Sequence, residues 1–176
     1  MARKIAIGVG VIIALFLVVV ATRPATFHVE RSLRMEAPAS AVAAHIEDFH
    51  AWRMWSPWEK LDPNIKRSFF GKARGVGAGY AWEGNDQVGK GRMTVIESSP
   101  GKVAIKLEFL APWTATNTAT FSFAPPDGHA TTTTWAMDGQ NNFMAKAVGI
   151  FMDMDEMIGA DFERGLQNLK AEAERE

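Results

Sequence analysis

Beyond residue 26 the hydrophobic pattern changes period twice. Phe27–Glu36 alternates, with Phe27, Val29, Leu33 and Met35 on one face and His28, Glu30, Ser32, Arg34 and Glu36 on the other. That is the pattern of a half-buried strand. Arg31 is out of place, since it falls on the apolar face. Pro38-Ala39-Ser40 opens a helix running to about Ile46, with proline in a tolerated first-turn position. Asp48–Pro57 reads as a second short helix, stopped by Pro57. Six more strand segments follow: Ile65–Phe70, Gly79–Gly84, Val88–Glu97, Lys102–Leu110, Trp113–Phe123 and Thr131–Asp138. Turn residues separate them, among them Gly75-Val76-Gly77, Pro100-Gly101 and Pro125-Pro126-Asp127-Gly128. Tyr80 and Trp82 share a face of their strand, and Val103, Ile105, Leu107 and Phe109 share a face of theirs. In Trp113–Phe123, Asn117 is the polar exception on a face of Ala115, Ala119, Phe121 and Phe123.

The final stretch, Asn141–Glu176, switches to a 3.6-residue period. Met144, Ala147, Val148, Phe151, Met154, Ile158, Phe162, Leu166, Leu169 and Ala173 form one stripe, opposite Glu156, Glu163, Arg164, Gln167 and Lys170. This predicts a long amphipathic C-terminal helix. Asp155 projects into the stripe between Phe151 and Ile158. The order strand, two short helices, six strands, long helix predicts an α+β domain, with an antiparallel meander curved around the last helix.

The N-terminus has neither period. Ile5–Ala21 is an uncharged apolar run of 17 residues, preceded by Arg3 and Lys4 and followed by Arg23-Pro24. As a helix it rises about 25 Å, slightly less than a typical hydrocarbon core. A signal peptide has the same layout, and Val19-Val20-Ala21 offers a small-residue cleavage site. The length of the run favours an uncleaved anchor. The expected organisation is a transmembrane signal anchor at 1–22, a linker at 23–26 and a globular domain at 27–176. Arg3 and Lys4 place the N-terminus in the cytoplasm by the positive-inside rule, while Arg23, Arg31 and Arg34 count the other way. The expected location is the inner membrane, single-pass, with the globular part extracytoplasmic.

Composition narrows the function. The chain is 47% hydrophobic and 22% charged, which is a globular balance. All three charges in residues 1–26 are basic, so the remainder is mildly acidic. No dense Lys/Arg stripe occurs, which argues against nucleic acid as a partner. There is no Cys, so thiolate catalysis, disulfides and Cys-based metal sites are excluded. His28, His45, His50 and His129 lack ligand-like spacing, and Asp153/Asp155/Glu156 lacks the glycine and length of a calcium loop. No metal or cofactor is expected. No Gly-x-Ser-x-Gly elbow is present, and Gly75-x-Gly77-x-Gly79 joins strands, unlike a nucleotide-binding loop.

The element order, the Trp-rich run WSPWEKLDP at Trp55–Pro63, and FMDMDEMIGADFERGLQNLK at Phe151–Lys170 resemble the SRPBCC superfamily. That superfamily includes START lipid-transfer domains, Bet v 1-like proteins and the polyketide cyclase/dehydrase family. The likeness covers about Phe27–Ala173 and is closest to bacterial polyketide-cyclase-like proteins with an N-terminal membrane segment. It implies a helix-grip fold, a seven-stranded antiparallel sheet gripping the C-terminal helix around a hydrophobic cavity. It also implies an apolar or lipid-like ligand. The superfamily shares no catalytic motif, so no catalytic residue is implied.

The candidate cavity residues are Arg31, Trp55, Trp58, Tyr80, Trp82, Phe109, Trp113, Asn117, Trp135, Phe151, Met154, Asp155, Ile158 and Phe162. Asp155 has two readings. As a cavity carboxylate with a raised pKa it would be a weak catalytic candidate; as a first-turn acid it would only favour the helix N-terminus. Arg31, Asn117 and Asp155 could form one polar spot within the cavity, or Arg31 could lie at a sheet edge and reach solvent. Trp52, Trp55, Trp58, Trp82, Trp113 and Trp135 could line the cavity and its mouth, dip into a membrane interface, or be ordinary core. Trp113, beside Pro112, best suits a mouth or membrane role. Three functions follow: tethered binding of a hydrophobic small molecule or lipid, a cyclase/dehydrase-type enzyme using a cavity acid, and a non-catalytic partner-binding module. The first leads, so catalysis is not the expectation.

Overall fold

A computed structural model describes residues 2–126 and 128–175. Met1 of the expected anchor, Asp127 of the expected turn and Glu176 of the expected domain lie outside the described residues. Helix α1 (Ala2–Thr22) is followed by strand β1 (Thr26–Met35), helices α2 (Ala39–Glu47) and α3 (Trp52–Trp55), and a 3-10 turn at Pro57–Lys60. Strands β2 (Lys66–Gly71), β3 (Ala78–Glu83), β4 (Lys90–Ser99), β5 (Lys102–Ala111), β6 (Ala115–Ala124) and β7 (Thr131–Gln140) follow in a meander. Helices α4 (Phe143–Val148) and α5 (Met154–Ala173) end the chain.

The seven strands form one antiparallel sheet in the order β1-β7-β6-β5-β4-β3-β2. Consecutive hairpins build six of the strands. β1 closes on β7, and Thr26 pairs with Gln140 and Met35 with Thr131. Register shifts near Gly91 and between Val95 and Glu97 of β4 mark bulges, which bend a strand and increase its twist. The sheet curves as expected, and the α+β helix-grip architecture is present.

The predicted C-terminal helix is two helices. Asn142 caps α4, its side chain accepting from Ala145 N at 2.8 Å. Asp153 caps α5, accepting from the backbone N of Asp155 (3.0 Å) and Glu156 (3.1 Å). A side-chain acceptor at this position supplies partners for otherwise orphaned first-turn N–H groups, so the chain restarts a helix here. The single stripe therefore breaks. Phe162, Leu166, Leu169 and Ala173 are buried as expected, whereas Phe151 lies in the connecting turn and is 78% exposed.

Helix α5 packs against β1, β7, α2, α3 and the 3-10 turn. At Gly165 the Trp135 ring from β7 lies directly against the helix backbone. Trp135 stacks on Phe162 with ring centroids 4.2 Å apart and planes 7° from parallel. Trp135 also stacks on Phe121 at 4.8 Å. Such ring pairs contribute about 0.5–1.5 kcal/mol beyond area burial. A Cβ at position 165 would lie 2.6 Å from Trp135 Cζ3 and 3.2 Å from Pro57 Cδ.

Gly165→Ala sets two effects against each other. Helix propensity gains about 1 kcal/mol. Overpacking a core contact costs about 1–3 kcal/mol, and Trp135 is pinned between Phe121 and Phe162. The clash should win, and thermal denaturation should show a lower melting temperature. An unchanged or raised value would mean the ring is free to move aside.

Candidate functional site

Beyond the Trp135–Phe162 contact, the N-terminal half of α5 stands off the sheet. The space beneath it is a cavity of about 550 Å³, within the range of roughly 300–1,000 Å³ typical of small-molecule sites. Tyr80, Trp82, Met93, Leu107, Phe109, Asn117, Ala119, Trp135 and Met137 form its sheet wall. Met154, Met157, Ile158, Asp161 and Phe162 form the helix wall, and Trp52, Ser56, Trp58 and Glu59 close one side. Exposed lining residues lie in the β5–β6 loop (Pro112, Trp113, Thr114), the β3–β4 turn (Gln87) and α4 (Met144, Val148), which puts the mouth between these segments.

Ten of the candidate residues line this cavity: Trp58, Tyr80, Trp82, Phe109, Trp113, Asn117, Trp135, Met154, Ile158 and Phe162. Four do not. Trp55 is fully buried in the core, its Nε1 donating to His45 O at 3.1 Å. Three residues along, Trp58 faces the cavity, because Pro57 turns the chain into a 3-10 segment. Phe151 lies outside, in the α4–α5 turn. Arg31 and Asp155 pair with each other outside the cavity.

The single polar spot is therefore corrected to two separate features. Arg31 does point inward from β1, but β1 is an edge strand, so its guanidinium passes beneath α5 where Gly159 leaves room. It donates to Asp155 Oδ2 at 3.0 Å and to Glu163 Oε1 at 3.1 Å. Residues 155, 159 and 163 are spaced by four and so share a helix face. The Asp155 side chain is 58% exposed. Hydrogen bonding to Arg31 is the main cause holding its pKa below the usual carboxylate value, with the Arg31 charge adding to it and partial desolvation opposing it. A cavity acid with a raised pKa is thus ruled out at this position. Asn117 is part of the cavity lining, and its Nδ2 donates to Met137 Sδ at 3.9 Å.

One buried polar group on the cavity wall, Glu59, was not among the candidates. Glu59 accepts from Tyr80 Oη at 2.6 Å and pairs with Arg67 at 2.7 Å. Its side chain is almost wholly buried. Burial, then Glu59, push the Tyr80 pKa far up, so the phenol remains a hydrogen-bond donor. Asn117 Oδ1 and Trp135 Nε1 are buried with no hydrogen-bond partner among the described residues. Glu59 escaped the sequence reading because its partners lie eight and 21 residues away. Locally it is one of several charged residues in a mixed stretch, Glu59-Lys60-Leu61-Asp62, with nothing to set it apart. No cluster of three or more metal-ligating side chains occurs among the described residues.

The site therefore offers an apolar enclosure with few hydrogen-bonding points. The sequence model described as polyketide cyclase / dehydrase and lipid transport matches residues 26–174. The chain belongs to this family. No curated protein matches the sequence. Solved structures with the same fold include the Zhui aromatase/cyclase from a Streptomyces species, with 14% identity, TM-score 0.62, and coverage of 85% of this chain and 94% of that one. A Chromobacterium violaceum protein has 16% identity and TM-score 0.57, covering 86% and 99%. The Aha1 dimer from Colwellia psychrerythraea has 13% identity and TM-score 0.58, covering 84% and 96%. At these identities the likeness establishes the fold. Like its family's description, the cavity suits either a bound hydrophobic ligand or cyclase chemistry.

Asp155→Asn tests the corrected role. It should lower the melting temperature by a few degrees at neutral pH without emptying the cavity. Because the folded pKa is depressed, this stabilisation is fully present above the unfolded value of about 3.9. It is lost as pH falls from there through the folded value. The wild-type-minus-variant difference should therefore persist at pH 5–7 and vanish in stronger acid. A difference that instead grew on acidification would contradict the pairing.

Proposed function

We propose that this protein binds a hydrophobic small molecule or lipid in the cavity beneath α5, while α1 tethers it to a membrane. The observation that carries the reading is the cavity wall itself, which is dominated by Trp, Phe, Leu, Met and Ala side chains with only a few inward polar atoms. Transferring apolar ligand surface from water into such a site contributes about 25 cal/mol per Å². α1 is long and apolar enough to cross a membrane, a property it shares with signal sequences. Its side chains are exposed apart from Val20, as expected of a helix whose surroundings are lipid. We place the chain in the inner membrane with residues 27–176 on the extracytoplasmic side, on the strength of Arg3 and Lys4.

A second reading, a cyclase/dehydrase, is favoured by the Glu59–Tyr80 pair on the cavity wall. Against it, Glu59 is already engaged by both Tyr80 and Arg67, and Tyr80 is held in its protonated form. A general base needs a proton-accepting group free at working pH. The arrangement is better suited to hydrogen-bonding a ligand than to moving its protons.

Mass spectrometry of the full chain extracted from membranes should find a stoichiometric apolar ligand. Ala119→Trp, which projects a large ring into the cavity from β6, should reduce that ligand at least tenfold with little change in melting temperature. Equal content in both proteins, or none in either, would sink the binding reading. Ring closure of a linear poly-β-ketone above the uncatalysed rate, abolished by Glu59→Gln, would establish the enzyme instead.

A further inference from the structure

The end of the molecule that carries the cavity mouth also carries α1, and the two touch. The Phe16 ring lies against Phe151 with centroids 6.5 Å apart and planes at 24°. Val20, one turn on, is fully buried. α1 packs against α4. Phe16 precedes Ala21, the last residue of the apolar run, by five positions, or about 7.5 Å of helix rise. A bilayer that surrounds α1 up to Ala21 must therefore also surround Phe151 while this contact holds.

The surface around Phe151 fits that environment. Phe151 keeps 78% of its surface exposed despite Phe16, and Phe143, Met144 and Met152 are each about half exposed. Across the mouth, Trp113 is 66% exposed beside Leu110. Large exposed apolar side chains gathered at one end of a domain mark an interaction surface. Met144, Val148 and Met157 are at once part of this exposed surface and part of the cavity lining. Two of the acids nearby are engaged, Asp155 by Arg31 and Asp153 by the α5 backbone, while Glu156 is exposed. Arg23 and Lys146 bring positive charge to the same end, where lipid phosphates would lie.

We propose that the α4–α5 turn, centred on Phe151, docks into the hydrocarbon layer of the bilayer that holds α1, so that the cavity mouth opens onto lipid and its ligand exchanges with the membrane without entering water. The docking rests on the membrane tether proposed above, and the exchange route rests in addition on the ligand-binding reading.

The native chain has no cysteine, so single labels are unambiguous. Full-length Phe151→Cys, Trp113→Cys and Ser99→Cys would each carry a nitrobenzoxadiazole label in phosphatidylethanolamine/phosphatidylglycerol vesicles. Ser99 lies at the far end of the β4–β5 hairpin, about 30 Å of strand from Ala111. The labels at 151 and 113 should be quenched by nitroxides on lipid acyl chains, and the label at 151 should be at least fivefold less accessible to aqueous iodide than the label at 99. Equal iodide access at 151 and 99 overturns the docking. A Phe151→Asp/Met152→Asp variant should take up a fluorescent phospholipid from vesicles at least tenfold more slowly than wild type, with equal final occupancy. An unchanged rate overturns the exchange route. A wild-type chain that takes up no probe, yet shields the label at 151, sinks the ligand reading and supports the docking.

Discussion

The structure depends on one aromatic contact, the stack of Trp135 on Phe162 where α5 passes over the sheet at Gly165. It seats the C-terminal half of α5, with Leu166 and Leu169 buried beside it. A helix that touches a curved sheet closely at one end must diverge from it at the other. The space left by that divergence is the cavity. Large side chains fill the tight end, whereas Ala119, Asn117, Leu107 and Ile158 leave the wide end open. The same stack therefore makes both the core and the container.

At the wide end the helix is held differently. Arg31 pairs with Asp155 and Glu163 across Gly159, and both carboxylates are more than half exposed. Exposed ion pairs hold geometry more than they add stability, since solvent screens them. Apolar packing thus fixes α5 at one end, and a weaker electrostatic latch sets its position at the other. A latch of this kind can keep the wall of a cavity in place without filling the cavity.

The fold was largely legible because strands announce themselves by a period of two, and all seven were readable to within a few residues. The final helix was legible in its C-terminal half, where packing against β1 and α2 enforces the stripe. It was misread before Met154, because a 3.6-residue stripe continues unchanged through a capping break. Met144 and Val148 are apolar for a different partner than Leu166 is. Trp55 and Trp58 show the same limit. Both belong to a Trp-rich run, yet one is core and one is cavity, and only the turn at Pro57 separates them. Asp155 interrupts the apolar stripe in the sequence, yet in the helix it shares a face with Glu163, and its partner lies 124 residues away. Periodicity can flag an odd residue; it cannot say what neutralises it.

Topology explains why the cavity mouth and α1 share an end. Only Arg23–Ala25 separates α1 from β1, and three extended residues span about 10 Å at most. With α1 in a bilayer, the start of β1 is held that close to the surface. An antiparallel sheet then settles the rest. β7 ends where β1 begins, so α4 and the turn before α5 emerge there. β6 begins where β7 ends, so the β5–β6 loop with Trp113 emerges there as well. No side-chain preference is needed to bring these segments together. Their apolar composition is a separate fact, and the agreement between the two is what makes the membrane-facing mouth a physical inference. A polar β5–β6 loop at the same place would have pointed to an opening into water.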